Sequence, residues 1–300
     1  MDSECAPWYQ RTSGEFCLKQ VLVTGASTGI GFDLTKNLCE KGYRVWAGVR
    51  RPEVLQSLQS RFPDKLSVLK LDVTSDEDIQ NAFEKIRRTI NTQDELILVN
   101  NAGIAVGGPI EALPLKEWQD LFDVNVFAPI RLTQVFLPLL RETKGRIINV
   151  GSISGQISTP FLSPYCSSKF ALRSFNDSLR RELLPLGVKV VLFEPGPVRT
   201  EIWSKSISHS EDQQKGMSDE MRKVYGPQLE ALKQGVLETV KTAIPVEDVT
   251  KAMLHAIESK KPERYYLLGK NVKIFALMSR FLPAALIDRM MMQGFRMKRA

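Results

Sequence analysis

Tyr165 and Lys169 stand four residues apart in a stretch with helical spacing, which puts both side chains on one helical face. Ser152 comes 13 residues before the tyrosine, directly after an apolar run that reads as a strand. A phenol in water titrates near pH ~10, too high for easy proton exchange at neutrality. A nearby ammonium favours the phenolate and lowers that value, which is the part Lys169 is placed to play. A serine hydroxyl can hydrogen-bond a substrate oxygen and polarise it. The trio suits a reaction that delivers a proton to an oxygen while a hydride reaches the carbon bonded to it. Tyr and Lys at this spacing are common surface partners on helices, so the pair gains weight only from its surroundings.

A second constellation lies near the N-terminus. Thr24-Gly25-Ala26-Ser27-Thr28-Gly29-Ile30-Gly31 follows the first apolar strand and opens a helical pattern. Its glycines allow a sharp turn and close approach of a ligand. Free N–H groups at the helix N-terminus favour a pyrophosphate. The spacing is G-x-x-x-G-x-G rather than G-x-G-x-x-G. The plainer reading, an ordinary glycine-rich turn, is disfavoured by its position after strand one of an alternating chain. Asn100-Asn101-Ala102-Gly103 follows the fourth strand, where a doubly wound sheet holds its ligands, although a plain β-turn would look the same. Asp72, past the third strand, either accepts a hydrogen bond from an adenine amino group or caps the helix that starts near Ser75.

The second strand, Arg44–Val49, lacks the acid that would bind the ribose 2′-hydroxyl of NAD. Arg50 and Arg51 stand there instead. A guanidinium pairs well with phosphate oxygens, so NADP(H) is favoured over NAD(H); the alternative is that both arginines are merely solvated.

Strand and helix signals alternate around these groups. Further strands are predicted at Gln20–Thr24, Leu66–Leu71, Leu96–Val99, Arg146–Val150, Val188–Phe193 and Tyr265–Leu268. Helices are predicted at Ile30–Lys41, about Glu53–Arg61, Asp76–Ile90, Leu115–Leu140, Pro164–Leu186 and Val246–Glu258, with Pro129 and Pro138 kinking or breaking the fourth. Nearly solid apolar strands between such helices imply a parallel sheet covered on both faces. The expected fold is α/β, a doubly wound parallel sheet of the Rossmann type in three layers. Residues 1–18 read as a loose polar leader, 19–270 as one domain, and 271–300 as a basic, apolar helical tail. Within the domain, 197–240 breaks the alternation and predicts a mobile lid.

Bulk properties exclude several classes. The four cysteines are scattered and form no C-x-x-C pair, which argues against a disulfide framework or a metal site and fits a reducing compartment. The Met-Asp-Ser-Glu start has no secretory pattern, and no run approaches the ~18 apolar residues of a spanning helix. A cytoplasmic location is expected. The net charge of +7 is uneven, because residues 270–300 hold seven bases (Lys270, Lys273, Arg280, Arg289, Arg296, Lys298, Arg299) against Asp288. Nucleic-acid binding would need bases spread over a face, so no nucleic-acid partner is expected.

Taken together and in order, these motifs resemble the single-domain branch of the short-chain dehydrogenase/reductase family. TGASTGIG, NNAG, Asn125, Ser152, the YCSSK run and Pro195-Gly196-Pro197-Val198-Arg199-Thr200 carry the resemblance, with 27 residues from Asn125 to Ser152. The resemblance implies an oxidoreductase acting on CH–OH donors, with Tyr165 as general acid/base. It gives Lys169 two tasks, lowering the phenol pKa and binding the nicotinamide ribose. Ser152 would orient the substrate oxygen and Asn125 would hold a relay water. The expected cofactor lining is Gly25, Ser27, Thr28, Gly29, Ile30, Gly31, Asp72, Val73, Asn101, Ala102, Gly103, Tyr165, Lys169, Pro195, Gly196, Val198 and Thr200, together with Arg50 and Arg51, which depart from the family pattern by standing in place of an acid.

The residues expected to line the substrate pocket beside Ser152 are apolar: Ile153, Phe161, Leu162 and Trp203. They predict a hydrophobic alcohol or ketone of steroid, retinoid or fatty-acyl character, and residues 44–203 resemble the steroid and retinol branch of the family. The rival from another class is a non-catalytic NADPH-binding sensor or scaffold on the same fold. The long helices 115–140 and 164–186 are surfaces on which the family dimerises, so a homodimer or homotetramer is expected. The tail has two readings: helices that close the pocket or pack on a partner subunit, or an interfacial helix touching an anionic membrane.

Overall fold

In the computed structural model, which describes residues 8–10, 16–202, 211 and 215–294, strands and helices alternate as the apolar runs predict. The strands are β1 (Trp8–Gln10), β2 (Phe16–Thr24), β3 (Arg44–Val49), β4 (Leu66–Lys70), β5 (Glu95–Asn100), β6 (Arg146–Val150), β7 (Lys189–Pro195) and β8 (Tyr265–Leu268). The helices are α1 (Gly29–Glu40), α2 (Gln56–Arg61), α3 (Asp76–Arg87), α4 (Leu115–Phe122), α5 (Ala128–Glu142), α6 (Ser163–Leu183), α7 (Asp219–Lys241), α8 (Val246–Glu258), α9 (Val272–Phe281) and α10 (Ala284–Gly294). Seven strands pair in parallel in the order β4-β3-β2-β5-β6-β7-β8. The order reverses between β2 and β5, and the carboxyl ends of strands beside such a switch point form the ligand crevice of this architecture.

Side chains alternate across the sheet and build two cores. Val21, Val23, Val45, Ile97, Ile148 and Val191 face α1 and α8 through Leu34, Leu38, Val249 and Met253. Leu22, Leu69, Leu98, Ile147 and Val190 face α3, α5 and α6 through Ile79, Ile86, Phe136, Leu140 and Leu179. Every strand in the middle of the sheet is therefore buried on both sides, which is why these strands read as solid apolar runs rather than as alternating ones.

Two expectations about elements change. The leader is not irregular throughout, because β1 pairs antiparallel with the start of β2, Trp8 opposite Leu18 and Gln10 opposite Phe16. The helix expected over 115–140 is two helices joined by a π-helical turn, Asp123–Phe127. Proline has no N–H and its ring crowds the carbonyl four residues back. For Pro129 that carbonyl belongs to Asn125, and the bond is missing where the α-helical ladder gives way to the π turn. Pro138, by contrast, is accommodated inside α5. Helix α6 ends in a tight turn, Leu184–Leu186, closed by Gly187 in the left-handed region at φ 76°.

Candidate active site

The glycine turn owes its shape to contacts no other residue would permit. Gly25 has φ +64°, and a Cβ there would sit 2.8 Å from the Cα of Ala102. A Cβ on Gly31 would lie 2.4 Å from the Gly25 carbonyl oxygen and 2.5 Å from Asn101 Nδ2. The turn of β2 and the turn of β5 are thus pressed together. Asn101 fastens them: its Nδ2 donates to the Thr24 carbonyl at 2.9 Å and to the Gly25 carbonyl at 3.2 Å. The Thr24 hydroxyl accepts from the amides of Asn101 and Ala102. Asn101 therefore holds the turn in place, a positioning task that its sequence position did not reveal. Thr28 is the N-cap of α1 in extended conformation and makes no side-chain cap bond, while Ser27 and Thr28 are exposed at the crevice. Gly29 lies against Thr200, which ties the Pro195–Thr200 segment to the same turn. That segment is held from below, since Gly196 N donates to Leu268 O at 2.8 Å and Ile244 N donates to Pro197 O at 2.9 Å.

Arg50 and Arg51 are exposed just past β3. Partial burial acts to raise the Asp72 carboxyl, but hydrogen bonds from Thr74 and the charges of Arg50 and Lys70 outweigh it and hold the carboxyl below its ordinary value. Arg50 and Asp72 thus share one edge of the crevice. Asp72 does not cap α3: its Oδ1 accepts from the Thr74 amide and hydroxyl, and Ser75 is the cap, accepting from Asp78 N at 3.2 Å. Val73 is buried in the core beneath α3.

Three elements deliver the predicted catalytic quartet to one place. Ser152 follows β6 as the cap of a short turn, Ile153–Gly155, and its Oγ accepts from Ser154 N at 3.1 Å. Lys169 on α6 is 6% exposed, and its Nζ donates to Val150 O at 3.0 Å. The same Nζ lies 5.7 Å from the centre of the Tyr165 ring. Asn125, in the π turn, is buried; its side chain accepts from Ile104 N and donates to Ile104 O, both at 2.9 Å, and to Ser168 Oγ at 3.1 Å. A Cβ added at Gly103 would touch both Asn125 Oδ1 and Lys169 Nζ, so the NNAG turn forms the wall between them.

The electrostatics differ from the expected pattern. Burial of its hydroxyl pushes the Tyr165 phenol up to about 12, and a hydrogen bond from Ser152 acts against that rise. Burial likewise pulls the Lys169 amine down to about 8. The lowering of the phenol that sequence reasoning assigned to Lys169 is therefore not the dominant effect; desolvation is, and it acts on both partners toward their neutral forms. Cys166, beside the tyrosine, is buried and accepts from Thr159 N through Sγ, as a packing residue would.

Ile153, in the turn after Ser152, and Phe161 and Leu162, just before α6, are half-buried. Phe161 has φ 61°, rare for a large side chain, and its carbonyl accepts from Gly108 N at 2.7 Å. Its ring meets Tyr225 of α7 edge-on with centroids 6.4 Å apart, and Tyr225 donates to Glu111 at 2.8 Å. Helix α7 thus covers this side. Trp203, the fourth predicted lining residue, and much of the polar lid segment lie outside the described residues.

Sequence reasoning missed Glu194 and Arg173. Glu194 ends β7 with 1% exposure, pairs with Arg173 of α6, and accepts from Gln156 Nε2 at 2.7 Å. Burial acts to raise its carboxyl, more strongly than Arg173 lowers it. The available signal was an acid inside the apolar Val-Leu-Phe-Glu-Pro run, where only a paired charge can be buried. Among the described residues no cluster could hold a metal ion.

Comparison with known proteins agrees with this geometry. The model of the short chain dehydrogenase family matches residues 19–211. The chain is 35% identical over 277 residues to an NADPH-dependent 3-dehydrocapnine reductase of Ornithobacterium rhinotracheale, covering 91% of this chain and 95% of that protein. It is 32% identical over 290 residues to estradiol 17-beta-dehydrogenase 2 of Mus musculus, covering 92% and 75%. A solved short chain dehydrogenase from Burkholderia cenocepacia in complex with NADP superposes with a TM-score of 0.69 at 25% identity, covering 90% and 96%.

Proposed function

The chain belongs to the short-chain dehydrogenase family, and from that premise we propose that it interconverts a hydrophobic ketone or aldehyde and the matching alcohol with NADP(H), using Tyr165 as proton donor and acceptor. The observation that carries the proposal is the convergence of Ser152, from the turn after β6, with Tyr165 and Lys169 of α6 beside the glycine turn, with Lys169 anchored to Val150.

The crevice fits a dinucleotide. The amides at Ser27–Ile30 would take the pyrophosphate, Arg50 a 2′-phosphate, and the Pro195–Thr200 segment the ring. A nicotinamide dinucleotide held there supplies or accepts the hydride. Tyr165 holds a proton at its hydroxyl, since burial keeps the phenol neutral across the physiological range. Ser152 orients the substrate oxygen toward that hydroxyl. Lys169, with its amine drawn down to about 8, is still charged at pH 7 and can stabilise the phenolate that forms once the proton has left. Ile153, Phe161 and Leu162 offer an apolar wall, and the steroid dehydrogenase among the relatives supports a substrate of that character.

The test is NADPH oxidation with a panel of apolar ketones. Tyr165→Phe is expected to abolish turnover while leaving NADPH binding within about twofold. Full activity in that variant would overturn the mechanism, and no turnover by the intact chain on any ketone would favour the sensor reading. Arg50→Ala with Arg51→Ala is expected to weaken NADPH binding at least tenfold and leave NADH binding unchanged, measured by fluorescence titration. An equal loss for both would show that the arginines do not read the 2′-phosphate.

A further inference from the structure

We propose that α9 and α10 form a docking surface for the face of an anionic lipid bilayer. Ile274, Leu277 and Phe281 occur at i, i+3 and i+7 and so form one stripe along α9; they are 57%, 61% and 70% exposed. Leu286 and Met290, four apart on α10, are also exposed. No element among the described residues covers the three α9 side chains, although folded chains rarely leave large apolar groups in a row in water.

Charge identifies the occupant. Lys273 and Arg280 fall beside the apolar stripe on the helical wheel, Arg289 flanks the Leu286–Met290 pair, and Lys270 precedes α9; all four are exposed. Asp288 is the one acid from 270 to 300. A second copy of this surface would bring bases against bases. An anionic headgroup layer instead satisfies the bases while its acyl boundary accepts the stripe. The helices are 10 and 11 residues long, half of what spanning needs, so the contact lies in the plane of the surface.

The attachment is firm. Val272 at the start of α9 is 2% exposed and packs on Gly196 and Gly269. Helix α9 also packs against the Ile153–Gly155 turn that follows Ser152. A bilayer held by α9 is therefore one helix away from the turn that follows Ser152. The docking itself does not depend on the proposed reaction.

The experiment is co-sedimentation of the full chain with vesicles of phosphatidylcholine alone and with about one third phosphatidylserine. Binding to the phosphatidylserine vesicles is expected, with at least a tenfold drop in partition coefficient on raising salt. Ile274→Ser with Leu277→Ser and Phe281→Ser is expected to lose it at least tenfold, as is Lys273→Glu with Arg280→Glu. Melting temperatures unchanged from the parent chain would show that both variants fold. Equal pelleting of the parent and both variants overturns the proposal, as does no pelleting of the parent with the anionic vesicles. So does a lipid-free oligomer that the apolar triple variant dissociates in light scattering, because the stripe would then join copies of the chain. None of these outcomes alters the ketone reductase assay, so the two proposals fail separately.

Discussion

At the scale of single residues, the site is built by desolvation. Lys169 is a buried amine whose hydrogen-bond acceptor is a backbone carbonyl, and burial draws its titration from 10.5 down to about 8. Keeping it charged in the folded state at pH 7 costs roughly 3 kcal/mol at about 1.4 kcal/mol per pH unit. The sign follows from proton binding. Between pH 8 and 10.5 the unfolded chain keeps the lysine proton and the folded chain has released it, so stability rises with pH across that window. Lys169→Met is accordingly expected to raise the melting temperature of the ligand-free protein at pH 7 by several degrees, and to do so less at pH 10. Turnover should fall at least a hundredfold. A lower melting temperature at pH 7 would mean that the amine contributes more by its bond to Val150 than it costs by its charge. The order of effects at Tyr165 was not legible from residue spacing. Four residues of separation predict a shared face but say nothing about how deep that face lies, and depth is what raises the phenol.

At the scale of elements, the π turn at Asp123–Phe127 does the least obvious work. It breaks what would otherwise be one long helix, and it leaves Asn125 bonded to both Ile104 and Ser168, so it joins the loop after β5 to α6. Pro129 enforces the break by withholding the N–H that an α-helix would aim at the Asn125 carbonyl. Pro129→Ala restores that donor. Stability is expected to change by no more than about 1 kcal/mol, because alanine is the better helix former, while kcat falls at least tenfold as Asn125 is drawn into regular helix. Chemical denaturation and steady-state kinetics on one preparation would separate the two. Unchanged kcat would show that the turn is structural only. The sequence placed a kink in this helix from its two prolines, but it did not say which proline would be absorbed. Pro138 lies well inside α5, after the chain has turned.

At the scale of the whole molecule, two of the exposed apolar stretches among the described residues stand out. One is the tail. The other is a shallow depression of about 400 Å³ on α4 and the π turn, lined by Trp118, Phe122 and Phe127 with Lys116, Gln119, Asp120 and Asp123. Phe127 of the π turn and Phe170 of α6 are 48% and 41% exposed. We propose that this face joins two copies of the chain. Phe127→Asp with Phe170→Asp is expected to halve the mass seen by light scattering and leave the melting curve cooperative. A chain that is already monomeric, or a variant that stays dimeric, would place the interface elsewhere or nowhere.

Along the chain, the parallel sheet, the glycine turn and the Ser-Tyr-Lys set could be read from residues alone, because each depends on local pattern: solid apolar runs, fixed spacings, a phosphate-sized turn after a strand. The pairing of β1 with β2 could not, since three residues of leader carry too little pattern to announce a strand. Nor could the tasks of Asn101 and Glu194. Asn101 fastens a turn 77 residues earlier in the chain, and Glu194 pairs with Arg173 on another element. Spacing along a chain sets which side chains share a face. Only the packed structure decides what that face is buried against, and burial determines which charges, protons and exposed stripes the protein can keep.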